Sequence, residues 1–201
     1  MVHQHTGTCG CEADDHIQLD STAGELDSLY LRIDRDNVVA LNAEEGKEGK
    51  IVFRPWDERN QEAEWLQSDA DEQLIFHIPF TGSIKLRAIA IKAGPAQQTP
   101  ESVKIFVNQR LDFDEASSQT PAQVIEIPLT REVVEYPLKP AKFPTVTTLT
   151  LFFPANHGAE TSRISFIGFK GEYQALNKKP IITVYEAQAN PADHKKIPGI
   201  D

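Results

Sequence analysis

The chain has 201 residues, the length of one domain of sandwich or barrel size or of two small ones, and its balance of 40% hydrophobic and 25% charged residues excludes wholesale disorder and fibrous repeats. Its formal net charge of -10 sets a field that repels phosphate backbones and anionic membrane surfaces, so neither nucleic acid nor a membrane is an expected partner. No stretch approaches the roughly 20 apolar residues that span a bilayer, and the opening MVHQHTGTCG has neither a basic n-region nor an apolar core.

Residues 1–25 are polar and rich in His, Gly and acid, without a sustained period of 2 or 3.6, and read as an arm that is either flexible or ordered by metal. Within it His3, His5, Cys9 and Cys11 supply two imidazoles and two thiols, the donor set of a tetrahedral zinc shell. The C-x-C spacing is tighter than the usual two-residue knuckle, and short His/Cys tracts are also simply compositional, so a candidate zinc site stands beside a plain polar arm. Both cysteines lie in this arm and none can staple the body of the fold, which suits a reducing cytosol or nucleus. A redox pair is disfavoured, because a C-x-C disulfide is strained and no C-x-x-C accompanies a βαβ pattern.

The apolar clusters LDSLYLRID and NVVALN follow, each readable as a strand or a short helical turn. EEGKEGK, from Glu44 to Lys50, has the composition of an exposed turn. IVFRPW reads as extended, with Ile51, Phe53 and Pro55 on one side and Val52 and Arg54 on the other. DERNQEAEWLQSDADEQ is a long polar connection whose only large apolar groups are Trp65 and Leu66, with Trp56 just before it.

Strand signals then become regular. LIFHIPF and IKLRAIAIK alternate on either side of TGS and read as two neighbouring strands joined by a turn. In the second, Ile84, Leu86, Ala88 and Ala90 fall on one side, with Ile89 and Ile91 on the other. VKIFVNQ, QVIEIPL, EVVEYPL, VTTLTLFF, SRISFIGFKGEY and PIITVYEA continue the series, with GPAQQTPES and DFDEASSQTPA as loops. About nine or ten short strands with Gly and Pro turns, and no alternating long helices, point to an all-β sandwich or jelly roll.

Chemistry is sparse in this frame. No G-x-S-x-G, H-E-x-x-H or P-loop is present, and His77 in a strand pattern and His157 in the Asn156 to Gly158 turn join no nucleophile and base. The acidic run Ser68, Asp69, Ala70, Asp71, Glu72 is more a solvated partner-facing connection than a calcium loop, because the glycine that sharpens such loops is missing. Trp56 and Trp65 flank the long polar connection before it, as interface anchors or as lids on the core.

LYLRID, ALN, FRPWDER, SDADEQLIFHIPFTG, FIGFKGEY and YEAQANPADH, in this order from about Leu26 to His194, resemble the successive blocks of the PITH domain family. The family is named for proteasome-interacting thioredoxin-like proteins, and this chain is similar to its branch with a His/Cys-rich arm and no thioredoxin domain. The resemblance implies three segments: an arm over 1–25, the PITH domain over 26–194 and a short tail over 195–201. It also implies a jelly-roll β-sandwich, like galactose-binding-type and Doc-type domains, with few short helices.

Functionally the resemblance implies a non-enzymatic module that docks on the proteasome regulatory particle in cytoplasm and nucleus. No cofactor is required beyond any zinc in the arm, and a monomer is the simplest state. Trp56, Trp65, Ser68, Asp69, Asp71, Glu72 and His194 are the candidate partner-contacting residues. A small-ligand or glycan-binding sandwich, with its site near loops such as Asn156 to Glu160, and a zinc-binding adaptor are the alternatives.

Overall fold

The structure is a computed structural model that describes residues 27–175. Its frame is antiparallel throughout: β1 (Val39–Leu41), β2 (Leu66–Gln67), β3 (Leu74–Ala93), β4 (Ser102–Val107), β5 (Gln123–Glu126), β6 (Val134–Pro137), β7 (Val146–Phe153) and β8 (Arg163–Gln174). One α-helix, α1 (Phe113–Ser118), and several single 3-10 turns complete it. The residues of the strand segment PIITVYEA lie outside the described part.

The two strands expected around TGS are one strand of 20 residues, β3. Its first half pairs β1 on one side and β7 on the other, and β7 continues to β4 and β5. Its second half pairs β8 and β6, and β8 continues to β2. The strand therefore passes from one layer of the sandwich into the other. The register against β7 shifts between Pro79 and Ile84, so Thr81-Gly82-Ser83 bends the chain without reversing it. Tyr173 closes over Gly82, where a Cβ would lie 2.6 Å from the ring, and this packing leaves no room for a side chain in the bend.

A second irregularity corrects the expected facing of Ile89 and Ile91. Leu86 pairs Gly171 and Ala88 pairs Lys170, so Arg87 is an inserted residue, and a one-residue bulge exchanges the two faces beyond it. Ile84 and Leu86 before the bulge thus share the main core with Ile89 and Ile91 after it.

That core lies between the layers. Phe53 enters it from a 3-10 turn, Gly49–Val52, and not from the extended segment expected of IVFRPW; Val52, Phe53 and Arg54 in succession are buried. The Phe53 ring meets Phe76 edge-on and Phe169 in a stack, each with centroids 6.0 Å apart. Each such buried ring contributes about 1.5–3 kcal/mol of transfer free energy. Of the two ambiguous clusters, LYLRID supplies a 3-10 turn, Tyr30–Arg32, between buried Leu29 and Ile33, while NVVALN supplies β1.

The outer face of the β3-β7-β4 layer has its own apolar cluster of Ile75, Phe106, Phe152, Leu111 and Ala116. It is covered by α1, in the segment expected to be a loop. Asp112 accepts from the Glu115 amide at 2.8 Å while Glu115 Oε2 accepts from the Asp112 amide at 3.2 Å, a capping box that starts the helix. Leu111 before the cap and Ala116 in the first turn are both buried, fixing the angle at which the chain enters α1.

Candidate functional site

The long polar connection between Arg54 and Leu66 folds back on β8 and the end of β3, held by two buried cations. β8 carries a bulge, since Lys92 pairs Phe166 and Ala93 pairs Ile164, which leaves the Ser165 carbonyl outside the ladder. Arg54 Nη2 donates to that carbonyl at 2.7 Å and to the Gln61 carbonyl at 3.1 Å, and Nη1 donates to the Glu64 carbonyl at 3.3 Å. Lys92, 6% exposed, donates to the Asn60 carbonyl at 3.0 Å and pairs with Glu62 Oε1 at 3.0 Å. A connection that is polar in sequence is thus fixed by charge-assisted bonds from below.

Trp56 and Trp65 are both half-buried, each lying under cations. Trp56 covers Phe166 edge-on at 6.2 Å, with Lys170 Nζ 4.3 Å and the Arg59 guanidinium 4.8 Å from its centroid. Trp65 has the Arg163 guanidinium at 3.8 Å and Lys47 Nζ at 5.4 Å. Both rings act as partial lids, and each keeps an exposed part. The cations on the two rings stand among the carboxylates of the connection and of Glu135, with which Lys170 pairs, so the face is a mixed-charge surface around two aromatic anchors.

The acidic run lies beside this face but is used within the fold. Ser68 is 1% exposed; its amide donates to the Ser162 carbonyl at 2.9 Å and its Oγ accepts from the Ser162 amide at 2.8 Å. Asp71 Oδ1 accepts from Asn42 Nδ2 at 2.7 Å and from the Gln73 amide at 2.9 Å. The Glu72 carbonyl accepts from Ser162 Oγ at 2.6 Å, and Asp69 is exposed. The run ties β2 to the β7-β8 loop, leaving Asp69 as its most available carboxylate. His3, His5, Cys9, Cys11 and His194 lie outside the described residues, among which no cluster of three metal-ligating side chains occurs.

The two described histidines are structural. His77, 7% exposed, meets Thr150 Oγ1 at 3.0 Å, and that hydroxyl donates to the Gln109 carbonyl at 2.6 Å. The hydroxyl proton being spent there, the ring must donate from Nδ1. Burial first, then the charge of Arg110, holds the His77 pKa below its ordinary value. His157 Nε2 lies 3.1 Å from the Ile127 carbonyl, beside a turn in which Asn156 Oδ1 accepts from the Gly158 and Ala159 amides.

At the loop end of the sandwich a recess of about 590 Å³ is lined by Glu101, Ser102, Glu126, Ile127, Pro128 and His157, without the flat Trp, Tyr or Phe platform on which sugars stack. A smaller cavity of about 140 Å³ opens between Glu62, Lys92, Gly94, Arg131 and Arg163. Sequence reading missed both buried cations. Arg54 and Lys92 stand in apolar runs, IVFRPW and IAIKAG, where a charge signals a fixed partner; that signal was available.

No helix among the described residues is long and apolar enough to cross a membrane. The layers, the bent shared strand and the loop-end recesses define a jelly-roll β-sandwich of the galactose-binding type. Solved structures with this fold include the CBM32-1, CBM32-2 and M60 catalytic domains of Clostridium perfringens ZmpB, with a TM-score of 0.53 at 10% identity over 77% of this chain and 16% of that one. A fucolectin from striped bass serum gives a TM-score of 0.51 at 10% identity, over 72% and 48% of the two chains. These likenesses establish the fold alone.

The PITH domain model matches residues 20–189, and the chain belongs to the PITH domain family. PITH domain-containing protein CG6153 of Drosophila melanogaster is 42% identical over 98% of this chain and 95% of its own length. PITH domain-containing protein 1 of Homo sapiens is 36% identical over 97% and 94% of the two chains.

Proposed function

We propose that this chain is a non-catalytic protein-interaction module that docks on the regulatory particle of the proteasome in cytoplasm and nucleus. Family membership over residues 20–189 is the observation that carries the reading. The site supports it: the half-buried Trp56 and Trp65 stand on a connection fixed by Arg54 and Lys92, and rigid aromatic anchors among cations suit a protein partner. Non-catalytic use fits His77 and His157, both of which spend their rings on internal hydrogen bonds.

The docking face proposed is the one bearing Trp56, Trp65 and Asp69. Affinity capture from lysate with the full chain as bait, read by subunit-resolved cross-linking, is expected to recover regulatory-particle subunits joined through this face. Recovery at the level of an unrelated acidic bait would refute the docking, and cross-links confined to another face would move it. The Trp56→Ala substitution is expected to reduce capture at least tenfold while the thermal transition shifts by only a few degrees.

A further inference from the structure

On a chain with a net charge of -10, one cavity carries the opposite sign. It lies where the end of β3 meets the start of β8, with Lys92, Arg131 and Arg163 around it against the single carboxylate of Glu62. Lys92 is partnered by Glu62 and the Asn60 carbonyl. Arg163 and Arg131 are not so served: among the described residues no carboxylate lies within 4.0 Å of either, and Arg163 Nε is buried without a hydrogen-bond partner. Trp65, 3.8 Å from the Arg163 guanidinium, holds that fork in place.

The floor is shaped as well as charged. Gly94 has φ +99, and a Cβ there would lie 2.8 Å from Thr99 Oγ1, so the backbone approaches without a side chain. Ala96 holds φ 46, a left-handed conformation unusual for a residue with a Cβ. The volume of about 140 Å³ equals a few water molecules, enough for a carboxylate head and too small for a sugar ring with its substituents. Glu62 already reports the field of this place: its carboxyl is held below the usual carboxylate range by the hydrogen bond and charge of Lys92, to which Arg131 and Arg163 add.

Next to the cavity, and sharing Arg131 with it, a recess of about 290 Å³ is formed by Ala96, Gln97, Leu129 and Thr130. Leu129 is 58% exposed, a large apolar side chain open to solvent beside an unpaired cation. A bare inorganic oxyanion has no use for such a shelf. A peptide with an acidic residue next to an apolar one complements both features.

We propose that the cavity bounded by Lys92, Arg131 and Arg163 receives an acidic side chain of a partner peptide, whose neighbouring apolar side chain rests on Leu129. This names the partner chemistry of the interaction module and rests on that reading.

The probe is a fluorescent peptide, Gly-Asp-Glu-Leu-Glu-Gly, against its amide counterpart Gly-Asn-Gln-Leu-Gln-Gly, titrated by anisotropy with the full chain. The acidic peptide is expected to bind at least tenfold tighter, to weaken several-fold as salt rises from 50 to 300 mM, and to lose at least tenfold with R131Q. Arg131 is exposed, so R131Q leaves the fold intact; L129S separately tests the apolar shelf and is expected to cost about threefold. Equal affinity for the two peptides, or no effect of R131Q, overturns the proposal. Displacement of the peptide by equimolar inorganic phosphate, or preference for an oligonucleotide, overturns the choice of a peptide. Proteasome capture by the wild-type chain separates the two readings: a failed peptide titration with intact capture removes only the pocket, whereas peptide binding without capture removes only the proteasome.

Discussion

Arg54 reaches across 111 residues of sequence to donate from Nη2 to the carbonyl of Ser165 at 2.7 Å. That carbonyl is free because of the bulge in β8, so the bulge and the arginine depend on each other. Replacing Arg54 with Met leaves the Ser165, Gln61 and Glu64 carbonyls to find other donors. The expected cost is about 2–4 kcal/mol by chemical denaturation. Hydrogen exchange should show the segment from Gln61 to Glu64 opening first, and Arg54→Lys should recover only part of the loss, since a point charge cannot fork to three acceptors.

Gly171 opposes the bulge at Arg87, and a Cβ there would run into the Lys85 carbonyl. Gly171→Ala is expected to destabilise by about 1–3 kcal/mol through overpacking against backbone. Gly158, at φ +108 with nothing within 4 Å of its Cβ position, gives the contrast. Gly158→Ala should cost only the backbone strain, about 1 kcal/mol. Thermal midpoints of the two variants would distinguish crowding from conformation.

Acid should weaken the fold through His77. Its folded pKa lies below the ordinary value of 6.5 and its unfolded pKa near it, so between the two the unfolded chain binds more protons. Stability therefore falls as pH drops through about 6.5 and levels off below the folded pKa. His77→Gln should flatten that part of the stability-pH curve, measured by urea denaturation from pH 7.5 to 5.

The capping box of α1 gives a smaller, separable effect. Asp112→Ala removes the acceptor of the Glu115 amide and is expected to cost about 1 kcal/mol, with Asp112→Asn close to neutral. Because α1 covers Phe152 and Ile75, the same variant should loosen the helix on the outer cluster, detectable as faster exchange of the α1 amides from Ala116 to Ser118.

The all-β class and most strands could be read from alternation alone: VTTLTLFF and SRISFIGFKGEY became β7 and β8 within a residue or two. β3 could not, because Thr81-Gly82-Ser83 has turn composition and only the tertiary contact with Tyr173 shows that the chain bends there without turning back. The helix α1 was readable in principle, since Asp112 and Glu115 carry capping-box spacing before a buried alanine. At the site, sequence singled out Trp56 and Trp65 but not the cations stacked on them, for Arg163 and Lys170 are brought there from β8 by sheet register. Ser68 looked like a surface residue in an acidic run, and only its pairing with Ser162 shows that it is interior.

A strand that belongs to both layers has a mechanical consequence. In a sandwich whose sheets share no strand, one sheet can loosen while the other keeps its ladder. Here any slip of Leu74–Pro79 against β7 pulls on Ile84–Ala93 against β8, since the two are one peptide segment. The layers are therefore expected to melt in a single transition, with the amides of both ladders exchanging only through global unfolding. A partner that grips one layer is expected to slow amide exchange in the other through β3.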